Sequence, residues 1–326
     1  MKDYISIIRK PIEDNLTVFN RMFVESMSHS DGQLSMALEH IRQRSGKRMR
    51  PMLILLMARN FGQVSETTYR AALGLELLHT ASLVHDDIVD ESEERRGQAS
   101  VNAVYGNRVA VLVGDYILST ALLNVAKANN NAIVEYLAKL GQTLSNGEIL
   151  QITSNGSENI SEEAYYDVIK MKTAALFEAC CVMGAMSVGA SESDAEAARL
   201  FGQRLGIVFQ IRDDIFDYYD NADIGKPTGN DMTEGKLTLP AIHALLTTHD
   251  EAMMAIAHKV KNITATPEEI AALVAFTKQN GGIEYAEKVM HDIHRETLSF
   301  IDTHVENQEV KDALTAYIDF VIERKK

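Results

Sequence analysis

The sequence predicts an all-α protein, and three observations carry that reading. Apolar residues recur at helical spacing over long stretches, helix breakers are sparse, and no run alternates apolar with polar residues between turn signals. Taken in order, a helical pattern covers residues 1–27 and ends before Asp31-Gly32. Gly46, Pro51 and Gly62 punctuate the next stretch. Residues 65–90 then place Leu73, Leu77, Leu78, Val84 and Ile88 at helical spacing. Beyond Gly97, similar patterns cover 107–127, 131–153, 161–189 and 192–219, with Asn129-Asn130-Asn131 as a break. Shorter helices are expected after 238, divided by Gly281-Gly282. The longest loop runs from Asn221 to Thr238, and a stretch of that length in a helical domain points to function. No linker splits the chain, so residues 1–326 read as a single domain.

Composition narrows the class. With 46% hydrophobic and 24% charged residues over 326 positions, the chain can bury a large core. A formal net charge of −14 argues against nucleic acid as a partner, and means that an anionic substrate needs local cations. The two cysteines, Cys180 and Cys181, are adjacent, which excludes a disulfide framework and suits a cytoplasmic protein. The charged N-terminus does not read as a signal peptide. Thr173 to Ala190 is apolar but short and contains Glu178, so it reads as a core helix and no transmembrane segment is expected.

The chemistry lies in a motif that occurs twice. Asp86-Asp87-Ile88-Val89-Asp90 and Asp213-Asp214-Ile215-Phe216-Asp217 both read D-D-I-x-D, each late in a long apolar helix. Residues four apart share a helix face, where like charges repel by a few tenths of a kcal/mol. A lone DDxxD is more often a solvated acidic face. Its repetition amid apolar neighbours instead points to a compensating divalent cation, and Mg²⁺ uses one or two carboxylates plus phosphate oxygens. Basic residues accompany both motifs: Lys47 and Arg50 within Gly46–Pro51, Arg95-Arg96 after the first motif, Lys172 before an apolar helix, and Lys226 and Lys236 after the second motif. Together they make an electropositive pocket suited to diphosphate. His79 lies seven residues before Asp86 on the same face.

These segments resemble one family. His79 through Asp90, continuing through Arg95-Arg96-Gly97, resembles the first aspartate-rich region of trans-prenyl diphosphate synthases, and Gln210 to Asp217 resembles the second. Gly46 to Pro51 is similar to the family's G-K-R-x-R-P segment, with Ser45 where a second Gly is common. Val111–Tyr116, Gly225-Lys226-Pro227 to Asn230-Asp231, Glu234-Gly235-Lys236 and Thr238–Pro240 also match, in the family's order. The resemblance implies an isoprenoid-synthase-type helical bundle around a central apolar cavity, nearest to long-chain members. It implies that Asp86, Asp90 and Asp213 hold Mg²⁺, with Asp87, Asp214 and Asp217 as near ligands or supports. Arg95, Lys172, Lys226 and Lys236 would neutralise the leaving diphosphate of an allylic prenyl diphosphate. Lys47, Arg50, His79 and Arg96 would hold isopentenyl diphosphate, with Thr173 and Gln210 as further contacts, and a homodimer is expected.

Product length is read at Ala81 and Ser82, about 6–8 Å along the helix from Asp86. Both are small, and the resemblance then implies a deeper tunnel and a product longer than geranylgeranyl, with Leu78, Leu122 or Leu123 as its floor. His85 and the Cys180-Cys181 pair read as structural, and the basic tail Arg324-Lys325-Lys326 as a solvated end. Three rivals stay open: a metal phosphohydrolase using His79 and His85-Asp86, a non-catalytic partner subunit, and a terpene cyclase or head-to-head condensing enzyme. The second aspartate motif, the six aspartates together, and the Lys47–Arg50–Arg96 cluster respectively weigh against them.

Overall fold

Residues 3–30, 32–43, 46–95, 97–154, 159–219 and 228–324 are described in the computed structural model of this chain. Their secondary structure is helical apart from one two-residue ladder. Packing divides the chain into two compact units: residues 1–141, 178–202 and 301–317, and residues 142–177, 203–300 and 318–326.

The first unit opens with α1 (Tyr4–Arg9), a 3-10 turn at Lys10–Ile12 and α2 (Glu13–Ser26). The single helix expected over 1–27 is thus interrupted, because Pro11 has no amide hydrogen for the α-helical ladder. Next come α3 (Gly32–Gln43), α4 (Met49–Phe61) and α5 (Glu66–Val89). α4 is buried continuously from Pro51 to Ala58, so it is apolar all round and forms the middle of this unit's core. α5 starts at a capping box in which Ser65 and Thr68 satisfy each other's backbone amides, and its chief packing partner is α7. After α5 the chain makes the antiparallel ladder β1 (Glu94–Arg95) and β2 (Gln98–Ala99), then α6 (Val101–Tyr105) and α7 (Asn107–Ala126). The residues of α8 (Asn131–Ser154) up to Gly141 belong to this unit.

Among the described residues, α7 is the one helix long and apolar enough to cross a membrane, and 39% of its most apolar 18-residue stretch is buried. Thr173–Ala190, singled out from the sequence, instead supplies the core: Ala174, Phe177, Cys180 and Cys181 are buried.

The second unit contains α9 (Glu162–Ile169), a π-turn at Lys170–Ala174, the start of α10 (Ala175–Met186) and most of α11 (Glu192–Phe216). It continues with α12 (Asn230–Thr233), α13 (Leu239–Thr248), α14 (Glu251–Lys261), α15 (Pro267–Gln279), most of α16 (Gly282–His304) and the end of α17 (Gln308–Glu323). α13 packs on α9 and α15, and α14 on α15. The expectation of shorter helices after 238 fails at α16, which runs for 23 residues as a strongly two-faced helix. The expected loop before Thr238 holds one helical turn, α12, whose first amides are capped by Asp217.

Candidate active site

The first aspartate motif closes α5, and its three carboxylates are not equivalent. Asp86 is half-buried, Asp87 is buried and Asp90 is exposed at the helix C-cap. Asp87 accepts from Arg95 Nε at 2.5 Å, and the Ser92 amide donates to the Asp87 carbonyl at 2.9 Å where the chain turns back after the helix end. The Asn102 side chain donates to the Asp87 backbone carbonyl at 3.2 Å, fixing the same corner. Beneath it lies a small apolar cluster of Val84, Val101 and Ala110, with Ile41, Ile88 and Tyr105 packed against it. Asp87 therefore holds Arg95 in place, and Asp86 and Asp90 are left as the carboxylates of this motif closest to solvent. His85 faces α7, against Gly114, with the Val111 carbonyl 3.3 Å and an Asp115 carboxylate oxygen 3.4 Å from Nε2.

The second motif closes α11 in the second unit. Asp214 is buried, and both of its oxygens are bonded: Tyr165 donates to Oδ2 at 2.5 Å and Gln210 Nε2 to Oδ1 at 2.8 Å. Thr173 in turn donates to Gln210 Oε1 at 2.6 Å, so one chain of bonds runs Thr173–Gln210–Asp214–Tyr165. Burial first, and then the charge of Asp231, push the Asp214 carboxyl well above the usual range, against the opposing pull of its two donors. Asp231 itself is raised to about 7, by burial and then by Asp217. Asp217 accepts from the Asn230 and Asp231 amides at 3.0 and 3.1 Å and so anchors α12.

A cavity of about 260 Å³ opens within this unit. It gathers Lys172, Thr173, Gln210, Asp214 and Lys236, five of the residues singled out from sequence, with Tyr165 and Asp231 beside them. Ile160, Val168, Ile169, Leu237 and Ile242 supply its apolar wall. Lys172 is held by Glu148 at 2.6 Å and Gln151 at 2.8 Å, both on α8, and Lys236 pairs with Glu234.

Lys47, Arg50, His79, Ala81 and Ser82 belong to the first unit. Lys47 is exposed just before α4, and Arg50 is half-buried in its first turn. Arg48, between them, takes a left-handed backbone (φ 54°), stacks on Phe23 and bonds Asn20, so it shapes the segment. His79 and Ala81 are buried in α5, and Ser82 donates back to the His79 carbonyl at 2.9 Å. Arg96 and Lys226 lie outside the described residues.

Two expectations are corrected. Arg324 is not a solvated end: its side chain is 9% exposed, bonds Asp213 at 2.6 Å and the Phe209 carbonyl at 3.0 Å, and stacks on the Phe209 ring. Leu122 and Leu123 are exposed on α7 and so form no floor within this chain, whereas Leu78 is buried. Tyr165, Glu148, Gln151 and Arg324 were absent from the sequence-derived site. Asp231 could have been found, since it lies in the loop segment that matched.

The carboxylates offer hard oxygen donors, which suit Mg²⁺ and not a soft metal. Among the described residues no three His, Cys, Asp or Glu side chains converge into a self-contained metal site.

The family model described as Polyprenyl synthetase matches residues 31–277. The octaprenyl diphosphate synthase of Haemophilus influenzae is 32% identical over 99% of this chain and 98% of its own length. A crystal structure of geranylgeranyl pyrophosphate synthase from Bacteroides thetaiotaomicron superposes with a TM-score of 0.87 at 46% identity, covering 99% of this chain and 100% of that one. A polyprenyl synthase from Caulobacter crescentus, complexed with calcium and isoprenyl diphosphate, gives 0.90 at 28% identity, over 99% of this chain and 98% of that one. The chain belongs to the polyprenyl synthetase family. It is a trans-prenyltransferase with the all-α isoprenoid-synthase fold, and it extends prenyl diphosphates into all-trans polyprenyl diphosphates.

Proposed function

We propose that the Lys172–Thr173–Gln210–Lys236 cluster receives the diphosphate of the allylic substrate, and that Lys47, Arg50, His79 and Arg96 hold isopentenyl diphosphate. The observation that carries the first assignment is the cavity in which two lysines, a hydroxyl and an amide converge beside an apolar wall. Asp86, Asp90 and Asp213 would hold Mg²⁺, which when bound neutralises the diphosphate and makes it a better leaving group. Lys172 is oriented by Glu148 and Gln151, and Thr173 by Gln210, so both are pre-set before substrate arrives. Arg95, steadied by Asp87, adds a further cation for the departing charge. The apolar wall keeps water from an allylic cation. Asp87, Asp214 and Asp217 act as supports, each through the bonds described above. The relatives' names range from geranylgeranyl to decaprenyl. The small pair Ala81 and Ser82 supports a product beyond geranylgeranyl.

The exposed apolar residues Val111, Leu112, Leu122 and Leu123 of α7 support a homodimer formed on that helix. The single catalytic domain read from the sequence is supported by the placing of the unit boundaries inside α8, α10, α11, α16 and α17. A cytoplasmic location accords with the free, buried cysteines.

The test is incubation with labelled isopentenyl diphosphate and farnesyl diphosphate, with Mg²⁺ or with a chelator, resolving products by length. A metal-dependent ladder passing geranylgeranyl is expected, cut short by Ala81→Phe. A ladder that stops at geranylgeranyl, or an Ala81→Phe product unchanged from the parent's, refutes the length assignment. Turnover that persists under chelation refutes the metal role.

A further inference from the structure

The π-turn at Lys170–Ala174 sends neighbouring side chains to different helices. Lys172 reaches Glu148 and Gln151 on α8, while Thr173 reaches Gln210 on α11. The turn holds one extra residue, since the Ala175 amide bonds the Lys170 carbonyl five positions back. Each receiving helix carries a glycine where the turn approaches. A Cβ at Gly147 on α8 would lie 2.7 Å from Met171 Cβ, 3.1 Å from Lys172 Cγ and 3.2 Å from the Lys172 amide nitrogen. At Gly206 on α11 it would lie 2.5 Å from Ala174 Cα and 3.0 Å from Ala174 Cβ. Carbon atoms in contact sit at about 3.5–4.0 Å, so either Cβ displaces the turn by roughly 1 Å.

The glycines are paired with the groups that take the side chains. Gly147 directly precedes Glu148, and Gly206 stands one helical turn before Gln210. Both occupy helix interiors, where alanine is intrinsically favoured, so close approach and not local propensity accounts for them. We infer that Gly147 and Gly206 are positioning residues, which admit the π-turn to the depth at which Lys172 and Thr173 meet the allylic diphosphate. This rests on the roles proposed above for those two side chains.

The experiment compares Gly147→Ala and Gly206→Ala with Lys172→Ala, Thr173→Ala and a control, Gly62→Ala. At Gly62 a Cβ meets Val188 Cβ at 2.9 Å in the first unit, a similar clash among residues given no role in the site. Steady-state kinetics are measured against each substrate separately, alongside urea unfolding. A 1 Å displacement costs on the order of 100-fold, so kcat/KM for the allylic diphosphate should fall about 10- to 100-fold in both glycine variants. The KM for isopentenyl diphosphate should stay near that of the parent, and Gly62→Ala should alter stability alone. Should Gly206→Ala not fold, Gly147→Ala decides the matter, because its closest contact, 2.7 Å to Met171 Cβ, is less severe than the 2.5 Å approach to Ala174 Cα at Gly206. Folded glycine variants that behave like Gly62→Ala, while Lys172→Ala and Thr173→Ala lose activity, overturn the inference alone. Silent Lys172→Ala and Thr173→Ala variants overturn the site assignment, and the inference with it.

Discussion

Replacing Tyr165 with Phe removes one oxygen from the buried end of the bond chain that runs to Thr173. The lost bond is the 2.5 Å contact to Asp214 Oδ2, and Asp214 is 2% exposed, so water cannot readily replace the donor. Leaving a buried acceptor without its donor costs about 1–3 kcal/mol, and phenylalanine fills the same space, so a loss of about 2 kcal/mol is expected. The effect should also travel. Gln210 bonds the other oxygen of Asp214, and Thr173 bonds Gln210, so a loosened carboxyl relaxes both. A tenfold fall in kcat/KM for the allylic substrate corresponds to about 1.4 kcal/mol, a fraction of the bond removed. Urea unfolding of the parent, Tyr165→Phe, Asp214→Asn and the double variant forms a cycle that isolates the pair. A coupling below about 0.5 kcal/mol, the scatter expected of independent sites, refutes this account of the network.

Arg324→Ala removes hydrogen bonds to Asp213, the Phe209 carbonyl and the Val321 carbonyl, and the contact with the Phe209 ring, from a nearly buried guanidinium. It should cost about 1–3 kcal/mol by urea unfolding, and a change within error would return Arg324 to the solvated end first expected. On the proposed homodimer, charged substitutions at Leu112 and Leu123, exposed on α7, should shift sedimentation from dimer to monomer, and an unchanged value excludes that helix from the contact. Asp231 titrates near 7 in the folded chain against an ordinary value of 3.8, so the folded state retains a proton that the unfolded state has released. Its contribution is therefore present at low pH and is lost as pH rises from about 4 to about 7. In metal-free protein Asp231→Asn should flatten that decline, and parallel stability curves would refute the assignment.

The two D-D-I-x-D segments were legible because helical spacing is a local property: residues four apart share a face wherever the helix goes. Lys172, Thr173 and Gln210 were legible through motifs of the same short range. Partners distant in sequence were not. Tyr165 lies 49 residues from Asp214 and Arg324 lies 111 from Asp213, and nothing in either local sequence announces such a pairing. The roles within each motif were equally hidden. Asp87 and Asp214 hold the same motif position, yet one holds an arginine and the other accepts from a tyrosine and a glutamine. Periodicity also ran 161–189 together as one helix, since a single inserted residue shifts the apolar pattern too little to break it.

That inserted residue makes the stretch from Tyr165 to Phe177 sensitive to length in an all-or-none way. Deleting one position would convert the bulge to regular helix, rotating the C-terminal part of the stretch by about 100° and drawing it back by about 1.5 Å. Tyr165 and Thr173 would then no longer reach the two ends of the same bond chain, and Ala174 would leave its contact with α11. No intermediate state exists, because a chain cannot lose part of a residue. Side chains in this stretch can be exchanged one at a time, but its count is fixed, so a one-residue deletion here should prove far more damaging than the same deletion in the loop between α15 and α16.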